Sequence, residues 1–257
     1  MILTDTHTHL YLDEFNDDRN MVVENAIKKH VKYMLLPNID SSSVDVMLKL
    51  CNDFPGNCFP MMGLHPTSVK INYKEELELV DEWFKRKKFY GIGETGIDLY
   101  WDKTFAREQE IAFSHQIELA KKYELPLVIH SRNSFEKIYS IVSKQNSPEL
   151  KGVFHCFTGN INQAYKIIDL GFMLGIGGVV TFKNSGLDKV VEKIDLKNII
   201  LETDSPFLTP VPFRGKRNES AYTFYIAEKV AELKNKTLEE VAEITTNNAN
   251  QLFKFRN

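Results

Sequence analysis

Two histidines near the amino terminus are separated by one residue, and this spacing suits the binding of a metal ion. His7 and His9 lie in a short segment, residues 2–10, whose sequence is ILTDTHTHL. In an extended strand, side chains two residues apart point to the same side, so the two imidazoles emerge together. Neutral imidazole is a common ligand of zinc and of neighbouring divalent ions. The alternative for this pair taken alone is a His-x-His that is merely exposed at the surface.

More histidines and acids follow other short apolar runs of the chain. They are Glu94 in GETGID (93–98), His130 in HSR (130–132), His155 in HCF (155–157) and Asp204 in ETDSP (202–206). Singly, a buried histidine usually hydrogen-bonds in a core and a strand-end acid usually caps a helix, but the whole set can hold two adjacent divalent ions. A carboxylate is the natural bridge between two ions, because each of its oxygens can serve one metal. The predicted ligands are His7, His9, Glu94, His130, His155 and Asp204, with Glu94 as the bridge.

The elements that must position these residues alternate regularly along the chain. Short β-branched or apolar runs predict eight strands, at residues 2–6, 33–36, 59–63, 89–93, 127–129, 152–154, 172–176 and 199–201. Amphipathic stretches predict helices at 20–30, 44–53, 75–85, 105–122, 135–144 and 164–170, and a closing pair at 221–234 and 238–253. Thr237 and Glu240 form a capping pattern at the start of the last helix. The alternation predicts one domain over residues 1–257, an α/β chain folded as a (β/α)8 TIM barrel with its active site at the carboxyl ends of the strands.

Length, composition and charge restrict the class of protein. A chain of 257 residues with 43% hydrophobic content can bury a large core. It contains no apolar run of the roughly 18 residues that span a bilayer and starts without an apolar signal segment, so we expect a cytoplasmic protein that does not bind membranes. Three cysteines without a paired spacing indicate reduced thiols. A net charge of −3 gives no general attraction to nucleic acid, so a polyanion must be held by a local site.

Taken together, the motifs resemble those of the TatD-type metal-dependent DNases, a family of the amidohydrolase superfamily. The resemblance covers essentially the whole chain, and its motifs are specific in combination and order. They are DTHTHL (5–10), GLHP (63–66), GETGID (93–98), HSR (130–132), FHCFTG (154–159), LETDSP (201–206), RGKRNE (214–219) and NA (248–249). Ser220 stands where the family usually has proline, and Asn133-Ser134 where it often has Asp-Ala. Both departures bear on substrate preference.

The resemblance implies a (β/α)8 fold, a two-metal site at the six predicted ligands, and hydrolysis of DNA phosphodiester bonds, commonly from a 3′ end. We expect a 3′–5′ exonuclease acting on single-stranded or frayed DNA ends with two divalent ions, Mg²⁺, Mn²⁺ or Zn²⁺. Asp204 and Glu94 are the predicted catalytic residues. Asp204 positions the attacking water and accepts its proton, and Glu94 joins the two ions. The sequence indicates no obligate protein partner.

Four residues are predicted to bind substrate. The loop after strand 8 contains three prolines followed by Arg214 and Arg217, and barrel enzymes often bind phosphate near strands 7 and 8. With Arg132, these residues predict a phosphate clamp, since the forked donors of guanidinium groups match phosphate oxygens. The alternative is an ordinary solvated basic loop. His65 is either a phosphate contact or a structural residue behind the ligands.

Two other functions remain open. A metal-dependent amidohydrolase or ester-type deacylase would direct the same activated water at a carbonyl carbon. The arginine loop favours phosphate chemistry instead, and strand 4 ends in Glu94 without a lysine. A binding protein built on a catalytically idle barrel would normally lack some of the six ligands, and all six are present here.

Overall fold

Eight parallel strands form the framework of the protein, which is described by a computed structural model over residues 1–256. The strands are β1 (Leu3–Asp5), β2 (Val31–Pro37), β3 (Cys58–Met61), β4 (Ile92–Asp98), β5 (Leu127–Arg132), β6 (Gly152–Phe154), β7 (Met173–Ile176) and β8 (Ile199–Leu201). The helices are α1 (Arg19–Lys28), α2 (Val44–Asp53), α3 (Tyr73–Arg86), α4 (Ala106–Tyr123), α5 (Phe135–Gln145), α6 (Ile161–Asp169), α7 (Leu187–Lys193), α8 (Thr223–Lys234) and α9 (Leu238–Phe253). Over this range, none of the helices is long and apolar enough to cross a membrane.

The strands close into a ring. Continuous parallel ladders run in the orders β1-β2-β3 and β4-β5-β6-β7-β8. Backbone hydrogen bonds join the two sheets at one edge, where the Gly93 N–H donates to Met62 O at 2.9 Å. At the other edge, the Thr6 N–H donates to Leu201 O at 3.0 Å. A helix follows each strand, with α9 in addition, so the predicted (β/α)8 barrel is confirmed.

The interior of the barrel changes from apolar to polar along its axis. Val128 on β5 and Val153 on β6 belong to one buried apolar cluster, together with residues of β2, β3 and β8. Residues two apart on a strand face the same side, so His130 and His155 stand next to these valines toward the carboxyl ends. On the inward-facing side of these two strands, an apolar core residue is therefore followed directly by a histidine that could bind a metal ion.

Helix α9 closes the amino-terminal end of the barrel. Its residues Ala249, Leu252 and Phe253 belong to the same buried cluster as the inward-facing valines. Asn248 fastens the helix to the chain around β8, because its Nδ2 donates to Leu196 O at 2.7 Å and to Ile199 O at 2.9 Å. The late NA motif of the sequence is thus a structural feature that closes the end of the barrel opposite the metal centre.

The last helix begins as predicted, whereas strand 4 lies later than predicted. Thr237 and Glu240 form the capping box at the start of α9. Strand β4 occupies Ile92–Asp98 and not residues 89–93, so Glu94 lies within the strand. The glycines on either side of Glu94 are typical of a turn, but Gly96 has a packing role: its φ is +136°, and a Cβ there would lie 2.1 Å from His130 O. Glycine is needed where β4 and β5 approach each other closely.

Candidate metal centre

The carboxyl ends of the strands surround a cavity of about 600 Å³. The predicted site residues that line it are His9, His65, Glu94, His130, Arg132, His155 and Asp204. His7 lies beneath them, fully buried, with its ring stacked on that of His155 at a centroid distance of 3.9 Å. The fold therefore brings all six predicted metal ligands together.

Glu94 stands at the centre of these side chains, with 2% of its surface exposed, and its two oxygens face different neighbours. Oε2 lies 3.1 Å from His7 Nε2 and 3.4 Å from His9 Nε2. Oε1 lies 2.9 Å from His130 Nδ1 and 2.8 Å from His155 Nε2. The carboxylate thus divides the four imidazoles of the predicted ligand set into two pairs.

Asp204 belongs with one of the two pairs. Its Oδ1 lies 3.8 Å from His7 Nε2 and 3.7 Å from His9 Nε2. We name His7, His9 and Asp204 the first donor group, and His130 and His155 the second donor group. The central carboxylate presents one oxygen to each group, which is the arrangement that a bridging ligand requires.

A hydrogen bond to the Tyr11 hydroxyl determines which ring nitrogen of His9 carries the proton. Tyr11 donates its hydroxyl proton to Pro37 O at 2.5 Å, so its oxygen accepts from His9 Nδ1 at 3.0 Å. His9 Nε2 is then unprotonated, and it faces oxygens of Glu94 and Asp204 at 3.4 and 3.7 Å. His7 Nε2 lies 3.2 Å from the same nitrogen, so two imidazole nitrogens and two carboxylate oxygens converge on one point, a donor set that suits a divalent cation. The first donor group therefore fits a divalent ion.

Two carboxylates lie behind the second donor group. Asp98 Oδ2 accepts a hydrogen bond from His130 Nε2 at 2.9 Å, whereas Glu202 Oε1 lies 3.5 Å from His155 Nδ1 without forming a hydrogen bond. Each leaves the other ring nitrogen turned inward, toward Glu94. Carboxylates in this position orient metal-binding histidines and set their tautomer. Neither was singled out from the sequence, although Asp98 lies four residues after Glu94 on one strand and so shares its face.

His65 differs from the other imidazoles of the cavity. Its Nδ1 accepts the backbone N–H of Thr67 at 3.1 Å, which places the ring proton on Nε2. That nitrogen points at Glu94 Oε1 from 3.2 Å. His65 therefore presents a hydrogen-bond donor to the centre, where His9 presents a lone pair, and this suits contact with an anionic oxygen better than metal ligation.

The charges of the cavity favour binding of cations. Burial alone would raise the pKa of the Glu94 carboxyl, but the surrounding imidazoles, His155 and His65 foremost, hold it well below its usual range. Burial opposes the charged form of His155, yet the nearby charge of Glu94 outweighs it and raises the pKa of that imidazole well above its usual value. The carboxylate thus draws a proton onto His155, and a divalent ion binding at the same position would replace that proton.

Only one of the three arginines predicted to bind substrate reaches the cavity, namely Arg132. The guanidinium carbon of Arg214 instead lies 3.8 Å from the ring centroid of Phe182. Arg217 donates to both carboxylate oxygens of Asp18, at 2.8 and 2.7 Å. The clamp predicted from the loop after β8 is therefore not assembled here, because an acidic residue far away in sequence holds Arg217 outside the cavity.

Comparison with known proteins shows which family the chain belongs to. The profile of a family described as TatD related DNase matches residues 4–254 of the chain. The chain belongs to the TatD-related DNase family. YabD of Bacillus subtilis, an uncharacterized metal-dependent hydrolase, is 38% identical over 254 residues, which cover 98% of this chain and 99% of YabD. YcfH of Escherichia coli, also an uncharacterized metal-dependent hydrolase, is 32% identical over 98% of this chain and 96% of its own.

A solved structure extends the comparison to the fold. The crystal structure of YjjV, a TatD homologue from Escherichia coli K12, matches with a TM-score of 0.92 at 27% sequence identity, covering 98% of both chains. Membership in the TatD-related DNase family makes this protein a metal-dependent hydrolase with a barrel fold, as the resemblance in its motifs predicts. The two donor groups and Glu94 are the residues that would hold its metal.

In this TatD-related protein, Asp98→Asn is expected to weaken metal binding by about 10- to 100-fold. Asp98 Oδ1 accepts the backbone N–H groups of Tyr100 and Trp101 at 2.9 and 3.2 Å, so an asparagine oxygen would occupy that position. Its amide NH2 would then face His130 Nε2 and shift the ring proton to Nδ1, the nitrogen turned toward Glu94. Isothermal titration with a divalent ion measures the loss of affinity.

Asp81→Asn is the matched control for this change. Asp81 Oδ1 lies 3.2 Å from His115 Nε2, a carboxylate–histidine pair of the same kind that lies outside the cavity. The control should leave metal affinity unaltered. Unchanged affinity in the Asp98→Asn protein, with an unchanged melting temperature in the absence of metal, would contradict the positioning role of Asp98.

Proposed function

We propose that the protein is a divalent-metal-dependent deoxyribonuclease that hydrolyses phosphodiester bonds from the 3′ end of single-stranded or frayed DNA. The observation that carries the proposal is the position of Glu94, whose two oxygens face two separate groups of metal-ligand side chains. Two divalent ions, when bound, would supply Lewis acidity and make a water molecule more acidic, which suits hydrolysis of a phosphodiester. The family match supports DNA as the substrate.

The proposed ligands follow the two donor groups. His7, His9 and Asp204 would hold one ion, His130 and His155 the other, and Glu94 both. Imidazole nitrogens suit Zn²⁺ or Mn²⁺, whereas phosphodiester hydrolysis and the carboxylate ligands suit Mg²⁺. Titration of the protein with each of the three ions would show which of them it binds most tightly.

Asp204 is proposed to be the proton acceptor. It lines the cavity with 15% of its side chain exposed, so a water molecule can reach its carboxylate. In the protein without metal, burial raises the pKa of this carboxyl to about 6, so Asp204 is a stronger base than a solvent-exposed aspartate. Asp204 would orient the attacking water and take its proton as the new bond to phosphorus forms. The bond from phosphorus to the 3′ oxygen breaks in the same reaction, and the departing oxygen becomes a hydroxyl group by taking up a proton, either the one held by Asp204 or one from solvent.

Two donors are placed to bind the phosphate. His65 directs its Nε2 proton to the centre, and Arg132 lines the cavity. Both would donate to phosphoryl oxygens, whose negative charge grows in the transition state. In this proposal, His65 and Arg132 bind the phosphate in place of the predicted clamp of three arginines.

The alternative is an amide or ester hydrolase, since the same carboxylate could activate water for attack on a carbonyl carbon. The position of Arg132 and the tautomer of His65 favour an anionic substrate over a neutral amide. The two functions make opposite predictions about which substrate is consumed, so a direct comparison separates them.

The test offers the metal-loaded protein a single-stranded DNA labelled at its 5′ end and, separately, a cyclic amide. We expect a ladder of shortened labelled strands, because removal of nucleotides from the 3′ end leaves the label on the remaining DNA. A chelator should lower the rate by at least about 100-fold, and added divalent ion should restore it. Immediate release of a labelled mononucleotide would contradict the polarity. Turnover of the amide with the DNA left intact would contradict the nuclease and support the alternative.

A further inference from the structure

A pair of exposed aromatic residues stands at the rim of the cavity. Trp101 has 68% of its surface exposed and Tyr100 has 52%, and Trp101 also lines the cavity. Trp101 is the most exposed aromatic side chain of residues 1–256. Apolar surface left in solvent beside a concave site is typical of ligand binding, because it contributes little to the stability of the fold.

Hydrogen bonds to one carboxylate hold this pair in place. Asp98 Oδ1 accepts the backbone N–H groups of Tyr100 and Trp101, at 2.9 and 3.2 Å, while the other oxygen of the same carboxylate holds His130. The two aromatic rings meet edge to face, with centroids 4.9 Å apart. The rim is thus tied to the strand that carries the central metal ligand, and little conformational ordering is required when a ligand binds.

A positive charge lies against the same pair. The guanidinium carbon of Arg132 lies 3.9 Å from the ring centroid of Tyr100 and 5.2 Å from that of Trp101. Within residues 1–256, no carboxylate pairs with this guanidinium, in contrast to Arg217, which Asp18 holds. A guanidinium stacked on an aromatic face keeps its edge free to donate to phosphate oxygens.

Apolar side chains also line the cavity from a second loop. Phe207 and Leu208, on the loop after β8, are 48% and 38% exposed and line the cavity. The rim is therefore apolar on two sides, whereas the floor consists of the imidazoles and carboxylates of the two donor groups. A nucleotide is divided in the same way, with flat apolar faces on its base and negative charge on its phosphate.

We propose that Trp101 stacks on the nucleobase beside the scissile phosphate while Arg132 donates to that phosphate. This inference rests on the proposed nuclease function and specifies its substrate as a strand end with an unpaired base. Every base has a π face, so stacking selects single strands without selecting a sequence. A base enclosed in a duplex cannot offer its face to Trp101, which accounts for a preference for single-stranded or frayed ends.

The first test compares strands with and without terminal bases. Trp101→Ala should lower kcat/KM on single-stranded DNA by roughly 5- to 150-fold, the range expected for loss of one stacked base, and Trp101→Phe should retain most of the activity. On a strand whose 3′-terminal nucleotides are abasic, Trp101→Ala and the unaltered protein should cleave at equal rates. Tyr165→Ala, a change of an aromatic residue that is 46% exposed on α6, is the control and should have no effect. An equal loss on both strands, or a loss on neither, would overturn the proposal.

A binding measurement separates this inference from the nuclease proposal. The chain has two tryptophans, Trp83 and Trp101, so Trp83→Phe leaves Trp101 as the sole indole fluorophore. A single-stranded oligonucleotide with hydrolysis-resistant phosphorothioate linkages should quench its fluorescence in the metal-loaded protein, and the abasic counterpart should not. Base-dependent quenching without cleavage of any DNA would remove the nuclease proposal and leave the stacking site in place. Cleavage without quenching would overturn the stacking site alone.

Discussion

Asp204→Asn is expected to lower kcat on single-stranded DNA by about three orders of magnitude or more, with the fold retained. The change removes the proposed proton acceptor, which is worth about 10²- to 10⁴-fold, and also one charged oxygen of the first donor group. Asparagine keeps the shape of the side chain, so the loss of activity would report on charge and basicity. The measurements are kcat with saturating metal, the number of ions bound, and the melting temperature.

The backbone at this position explains why asparagine is the right replacement. Asp204 has a φ of +59°, in the left-handed region that asparagine tolerates better than most residues with a side chain. Its N–H donates to His7 O at 2.9 Å, and its carbonyl accepts the Phe207 N–H at 2.8 Å, and neither bond involves the side chain. Asp204→Ala should lose as much activity but also about 1 kcal/mol of stability from backbone strain. Near-normal turnover of the Asp204→Asn protein would remove Asp204 from its proposed role.

The directions of His130, on β5, and of His155, directly after β6, are predictable because side chains two residues apart in extended backbone face the same side. His130 and His155 each lie two residues after an inward-facing valine, so the apolar run that predicts the strand also predicts the direction of the histidine. His7 and His9 follow β1 (Leu3–Asp5) with the same two-residue spacing. Sequence alone thus locates ligands whose direction depends only on the local backbone.

Around Glu94, the local sequence predicts the wrong end for strand 4 but still identifies the residue at the centre of the cavity. The glycines around it are typical of a turn, and they place the end of strand 4 too early. The structure uses Gly96 for close contact with β5, where a Cβ would lie 2.1 Å from His130 O. The requirement for glycine at position 96 comes from contact with β5, and the sequence of strand 4 alone does not show that contact.

The pairing of Arg217 and the tautomer of His65 could not be predicted from the sequence. Arg217 lies in the basic motif from which the sequence predicts a phosphate clamp, but its guanidinium is paired with Asp18, which lies 199 residues earlier in the chain. The tautomer of His65 depends on the backbone N–H of Thr67, and that of His9 on the hydroxyl of Tyr11. These assignments require the positions of hydrogen-bond partners, so only the folded structure distinguishes an imidazole that donates to the centre from one that presents a lone pair.

Glu94→Gln is expected to reduce the number of bound divalent ions from two to one per chain and to lower kcat by about three orders of magnitude or more. Glutamine has nearly the same volume as glutamate but only one oxygen, so it cannot serve both donor groups. The orientation of the amide is determined by its neighbours. His65 Nε2 carries a proton and lies 3.2 Å from Glu94 Oε1, so the amide oxygen would take that position.

The amide NH2 would then take the position of Oε2, which lies 3.1 Å from His7 Nε2 and 3.4 Å from His9 Nε2. A hydrogen-bond donor there occupies the lone pair of His9 and supplies no negative charge, so the first donor group should lose its ion while the second keeps one at reduced affinity. Equilibrium dialysis followed by metal analysis counts the ions, and Glu136→Gln, at an exposed carboxylate paired with Lys166, is the control. The single side-chain oxygen of glutamine cannot occupy the positions of both Oε1 and Oε2. Two ions bound at unaltered affinity in the Glu94→Gln protein would therefore show that the Glu94 carboxylate is not the bridge.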